Sequence, residues 1–525
     1  MDGSSKQNEQ VQSGQIFAGE NEKSAYEQAV FSPADDINQP AQQIQEPAEQ
    51  NNQQASSSPP TDQGFPPPPP FVEDPRRKFL IIILFIIIFL GGGFFLLRLL
   101  GNRKTPAVEN KPKEKVTLNY WGLWEEEVML RPAIEAYQKE NPHIEIKYIR
   151  QDPIDYRERL QAAIDRDEGP DIFRFHNNWL PMLVSHAASI PKDIMSDDNF
   201  KKTFYPVVSR DLLVGGNFYG IPLEIDGLML YYNEDILQGA AVSVPQTWVD
   251  VQNAVQKLTV KEGNRIVTSA IALGTAENIE HASDILAVMM LQNGTMLNES
   301  LFKCSDPSKT DCAVQTLTFY RRFAAIPNNT WDDSLENSIL AFAGGKVAMI
   351  FAPSWQAYVI SQINPNLNFK TAKLPQLPCN VEPCPYVNWA TYWVEGVSTK
   401  SKYQTESWQF LKYLVSSEVQ QKLFAEQLKV RKLFGEPYSR VDLGASLKDN
   451  PYLAPLIEMA PTMQSFYLSA RSFDGDTGLN SSLINYLKDA VNSLKEHGAS
   501  EETALKTADN GFAEVFKRFN ITPAQ

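Results

Sequence analysis

The chain has 525 residues, 21% of them charged and 43% hydrophobic, a length for about three or four domains and a composition able to build real cores. The formal net charge is −15, but residues 1–74 hold 12 Asp and Glu against 2 Lys, so the rest carries 46 basic against 51 acidic groups. A body so near neutrality has no electrostatic footprint for nucleic acid, and five dispersed histidines with four cysteines leave little material for a metal or cofactor enzyme.

Residues 1–78 contain 11 Pro, and the stretch up to and including Gln63 contains 13 Gln. Such a segment buries too little apolar surface to offset the entropy of ordering and is expected to be disordered. Within it, Phe65–Pro70 favours polyproline II, which suits either a stiff spacer or a ligand for an aromatic groove. Phe79–Leu97 then runs 19 residues without a charge, enough at about 1.5 Å per residue to cross a bilayer core. It starts too far from the N-terminus, and lacks the small-residue cleavage site, for a signal peptide, so it reads as one uncleaved transmembrane anchor.

Charge gives a divided answer on orientation. Arg76, Arg77 and Lys78 favour a cytoplasmic N-terminal side, whereas six basic groups in the tether 98–115 favour the reverse. All four cysteines follow the anchor as two local pairs, Cys304 with Cys312 and Cys379 with Cys384. An even number at short spacing suits two loop-closing disulfides, and these persist outside the cytoplasm. The tail is therefore expected to be cytoplasmic and residues 116–525 extracytoplasmic, on a single-pass membrane protein.

That body opens with a strand over Lys115–Trp121, where apolar and polar residues alternate. A helix follows over Glu126–Glu140, with Val128, Leu130, Ile134 and Tyr137 on its inner face, ended by Asn141-Pro142. Ile144–Ile149 is a strand, Tyr156–Asp165 a helix with Leu160, Ala163 and Ile164 inward, and Asp171–Phe175 a third strand. This succession predicts an α/β fold with a parallel or mixed sheet, whose loops at the carboxyl ends of strands line the binding crevice.

Those loops are rich in aromatic residues. Trp121 and Trp124 follow the first strand, Asn177, Asn178 and Trp179 the third, and Ala352-Pro353-Ser354-Trp355 the strand-like Lys346–Phe351, while Trp389, Tyr392 and Trp393 precede another apolar stretch. Any one such tryptophan can equally plug the end of a core. Six together, interleaved with Asn, Glu and Asp, point to a cleft for a polar molecule with apolar faces, such as a sugar.

The body resembles the extracytoplasmic solute-binding proteins of ABC transporters, the large family that includes maltose-binding proteins. The resemblance rests on YWGLW (120–124), AYQKENPHIEI (136–146), GPDIF (169–173), YGIPLEIDGLMLYYNEDIL (219–237), VPQTWVDV (244–251), FAGGKVAMIFAPSW (342–355) and ESWQFLKYLVSSEVQQKLF (406–424). It implies a two-lobed, type II periplasmic-binding-protein-like fold, with lobe 1 at about 116–223 and 396–445 and lobe 2 at about 226–393 and 450–520. The chain would cross between lobes at Tyr219–Asp226 and return at Tyr392–Ser398. Carried onto matching positions, the ligand-binding residues are Trp121, Trp124, Glu125, Asn177, Asn178, Trp179, Glu224, Asp226, Ser354 and Trp355, with Tyr392, Trp393 and Arg471 as weaker matches. Glu224 and Asp226 can equally anchor the hinge, and Arg471 can instead pair with Asp474 or Asp476 at the surface.

An uncleaved anchor, a long tail and two cysteine pairs depart from the family pattern. No catalytic set competes with binding: after Gly344-Gly345-Lys346 stands Val347 where a phosphate loop needs Ser or Thr, and no HExxH occurs. The expected function is capture of a carbohydrate between two lobes and its delivery to ABC permease subunits. The alternative is a single-span sensor or scavenger whose cytoplasmic tail binds a partner.

Overall fold

The alternation in Val116–Gly122 buries Val116, Leu118 and Tyr120 on one face, and this strand organises the first of two sheets. Its structure is taken from a computed structural model that describes residues 114–379, 383–496 and 498–521. The acidic tail, the apolar span Phe79–Leu97 and the tether up to residue 113 lie outside the described residues. Among the described residues, no helix is long and apolar enough to cross a membrane.

Val116–Gly122 pairs in parallel with Ile144–Arg150, from Val116 opposite Ile144 to Gly122 opposite Arg150, and in parallel with Ile172–His176 through Tyr120 and Trp121. The helices Glu127–Glu140 and Tyr156–Asp165 supply the crossovers. In the first, Leu130, Ala133, Ile134 and Tyr137 are buried, whereas Val128, expected inward, is 51% exposed. It stands two residues from Leu130, about 200° around the helix, and so faces solvent.

The strand Trp393–Val397 returns antiparallel beside Ile172–His176, placing Glu395 directly opposite Arg174. The expected mixed sheet is thus three parallel strands with an antiparallel edge. In the second sheet, Met229–Asn233 lies between Phe369–Ala372 and Met349–Ala352, antiparallel to both. The strand expected at Lys346–Phe351 starts later, at Met349, and Val347 bridges instead to Ser269. The C-terminal helices Leu479–Glu496 and Glu501–Arg518 pack on each other, the latter also against the helix Cys312–Arg321.

Three segments run side by side where the sheets meet. Ile221 bridges to Glu395, Gly227 to Ala390 and Glu224 to Tyr438, so the two anticipated crossings are neighbours and a third passes at Tyr438. Both anticipated disulfides are formed, Cys304–Cys312 with Cα atoms 6.2 Å apart and Cys379–Cys384 with 5.9 Å.

Gly227 sets the spacing of the crossings, because a Cβ built there falls 1.9 Å from the Trp389 carbonyl oxygen. Backbone lies on both sides of that contact, so neither partner can rotate away. Gly227→Ala is expected to cost about 1–3 kcal/mol in urea-induced unfolding. An unchanged midpoint would contradict so close an approach.

Candidate functional site

A cavity of about 840 Å3 opens where loops of both sheets meet. The loops after the first and second strands bring Trp124, Glu125 and the Arg150–Ile154 segment. The turn after Met349–Ala352 brings Pro353 and Trp355, and the crossings bring Glu224, Asp226, Trp393 and Glu436.

Trp393 is the centre of an aromatic cluster. Its ring lies edge-on to Trp124 at 5.2 Å, to His176 at 5.1 Å and to the fully buried Trp179 at 5.5 Å, while Phe473 tilts against Trp124 at 5.3 Å. These are edge-to-face separations that rigidify rings while leaving other faces free to stack. Trp355 stands near His281, ring centres 6.2 Å apart. Phe473 and Arg471 both hold positive φ, of 53° and 59°, in a segment that curls over the cavity.

Beneath the rings lies a buried ionic cluster. Arg174 is 1% exposed and donates Nε to Glu395 Oε1 at 2.6 Å and Nη1 to Glu125. Arg431 reaches Glu436 at 3.1 Å and Glu125 at 3.7 Å, and Gln427 Nε2 donates to Glu436 at 2.9 Å. Four glutamates, counting Glu224, therefore face two guanidinium groups. Burial raises Glu125, with Arg174 opposing it and the Glu436 charge adding to it. Burial also pushes Glu436 up, but its hydrogen bond with Glu125 and the charges of Arg431 and Arg174 hold it well below the usual range. Glu125 is thereby driven towards its protonated form and Glu436 towards its ionised one. Glu224 is raised well above its ordinary value by burial first and the Glu436 charge second.

The thirteen expected ligand-binding residues divide sharply. Trp124, Glu125, Glu224, Asp226, Trp355, Trp393 and Arg471 line the cavity. Trp121, Asn177, Asn178, Trp179, Ser354 and Tyr392 lie outside its lining. Asn177 Nδ2 donates to Asp211 at 2.8 Å, as does the Tyr392 hydroxyl, and Asn178 Nδ2 donates to the Phe466 carbonyl at 2.7 Å. Ser354 Oγ donates to Asp226 Oδ2 at 2.8 Å. Their polar atoms are spent on the frame. The Asp226 carboxylate also accepts the Gly227 and Ser354 amides, and burial outweighs these bonds to push it up to about 6. These bonds tie the segment of Asp226 to the turn before Trp355. Arg471 pairs with Glu280 rather than with either aspartate of its own segment. Asp474 is buried and accepts the Asn480 and Ser481 amides at the start of Leu479–Glu496.

Several lining residues were not anticipated: the Arg150–Ile154 loop, His281, Tyr358, Arg431 and Glu436. The rule applied to the first and third strands would have found the loop after the second. His281 and Glu436 carry no local signal, because segments far apart in the chain bring them to the cleft.

The proton on Glu125 has a measurable consequence. The folded state retains it above the ordinary value of 4.5, where the unfolded chain releases it, so this group's contribution to stability is lost as pH rises through the folded value. Glu125→Gln keeps a neutral acceptor for Arg174 and has no such proton to lose. Urea midpoints of the variant are expected to gain on the parent as pH rises from about 5 to about 9. Parallel curves would contradict a raised Glu125.

Residues 132–431 match the family described as bacterial extracellular solute-binding protein. A multiple sugar-binding protein of Streptococcus mutans is 21% identical over 396 residues, covering 73% of this chain and 89% of its own length. The sugar-binding protein MalE of Xanthomonas citri superposes with a TM-score of 0.61 at 18% identity, covering 77% of this chain and 98% of its own. A cyclo/maltodextrin-binding protein complexed with maltotetraose gives 0.60 at 17% identity, with 76% and 97% covered. These superpositions share the two-lobed fold. Because the family match spans strands of both sheets and the first two crossings, the chain belongs to the bacterial extracellular solute-binding protein family, whose members bind solutes rather than transform them.

Proposed function

We propose that the protein captures a carbohydrate in the cleft between its lobes and passes it to ABC permease subunits. The observation that carries this reading is the meeting of Trp124, Trp355 and Trp393 with Glu125, Glu224 and Arg471 around one cavity. Rings stack on the C–H faces of pyranoses while carboxyl and guanidinium groups take the hydroxyls in directed bonds. The sugar-binding relatives support the same class. Binding is coupled to closure: the ligand favours the closed form by the contacts it makes with both lobes at once.

In this reading the lobes divide at about 116–223 with 396–445 and about 226–393 with 450–520. Phe79–Leu97 anchors the body in the membrane with the acidic tail on the cytoplasmic side. Sensing or scavenging is the second reading, favoured by that long proline-rich tail, which import does not require.

Trp355 is half-buried at the cleft and outside the ionic cluster, so its removal takes stacking area rather than a core. Trp355→Ala is expected to weaken maltotetraose binding to the full chain by about 1–3 kcal/mol in calorimetry, with the melting temperature little changed. Equal affinity in variant and parent would contradict the site. Stabilisation by a peptide panel and by no sugar would contradict the ligand class.

A further inference from the structure

His281 holds the position just before the helix Ala282–Gln292, but its side chain does not cap that helix. Its ring is 1% exposed and forms part of the cleft wall beside Trp355. Nδ1 lies 3.3 Å from Asp284 Oδ2. Asp284 is completely buried, and its carboxylate also accepts the Trp389 indole N–H at 2.8 Å and the Ala470 amide at 3.0 Å. A carboxylate engaged by two N–H donors is an acceptor towards the ring as well, so Nδ1 carries a hydrogen directed at it. Nε2, on the far side of the ring, has no partner in the structure. On the other lobe, the buried indole nitrogen of Trp124 is a donor without a partner. Both residues line the same cavity.

A buried polar atom with no partner is costly, and a ligand group that completes it gains affinity. The chemistry of that group is restricted. Carboxylates and phosphates only accept hydrogen bonds and are repelled by a bare imidazole nitrogen, whereas a hydroxyl donates to it. We propose that His281 Nε2 accepts a hydrogen bond from a hydroxyl of the bound ligand, with Asp284 as the positioning residue that fixes the ring's tautomer. This rests on the carbohydrate reading and deepens it: the cleft selects a neutral, hydroxyl-bearing sugar over its acidic or phosphorylated counterpart at this subsite.

The test uses the full chain labelled with 15N-histidine, His281→Phe to assign the ring and remove the acceptor, and His281→Gln to restore one. Maltotetraose is the probe, and tryptophan fluorescence reports occupancy of the cleft independently. Before sugar is added, His281 is expected to show a protonated Nδ1 and a bare Nε2. On addition, the Nε2 resonance moves, His281→Phe loses about fivefold to tenfold in affinity, and His281→Gln recovers part of it. A protonated Nε2 in the free protein, or full affinity in His281→Phe while the tryptophans report binding, overturns the proposal. If maltotetraose perturbs neither the tryptophans nor His281, the carbohydrate reading fails, and the proposal fails with it.

Discussion

A guanidinium group sealed beneath the cleft is the constraint around which this body is arranged. Arg174 is held in register opposite Glu395 on the returning strand and bonds to Glu125 beyond the first strand, so one charge joins three segments that are far apart in the chain. Desolvating such a charge costs several kcal/mol unless partners complete it, about as much as the net stability left to many domains. The register of the four-stranded sheet, the path of the crossings and the position of the cleft floor are therefore not independent. Moving any of them would strand a charge.

The surplus of carboxylates over guanidinium groups gives that floor its character. Glu125 is raised and Glu436 lowered within it, and Arg431 joins Glu436 to the same network. Above it, the polar groups separate by how completely they are satisfied. Asn177, Asn178, Ser354, Tyr392 and Asp226 are bonded within the protein and keep the crossings and the turn before Trp355 in place. Trp124 Nε1 and His281 Nε2 have no partner within it.

Much of this was legible in the sequence. Alternation and helical spacing between residues 115 and 176 foretold the strands, crossovers and mixed sheet, because local patterning and tertiary burial agree there. The even number and short spacing of the cysteines foretold both disulfides. The strand–loop junctions found Trp124, Trp355 and Trp393, yet the same rule also gathered Trp121 and Trp179. One-dimensional position says that a ring lies near a strand end but not which face it takes, and Trp179 turns into the core behind Trp393. His281, Arg431 and Glu436 were invisible for a different reason. Each becomes part of the cleft through partners in distant segments, as His281 does through Asp284, Trp389 and Ala470.

The proposed closure of the two lobes on a sugar can be read as a distance between them. Lys147 on the first sheet and Lys346 beside the second are exposed, and among the described residues both cysteine pairs are disulfide-bonded. Spin labels on cysteines introduced at these two positions in the full chain therefore report the separation of the lobes. Maltotetraose is predicted to shorten and narrow the distance distribution between them. An unchanged distribution, under conditions where calorimetry shows the sugar bound, would contradict the account.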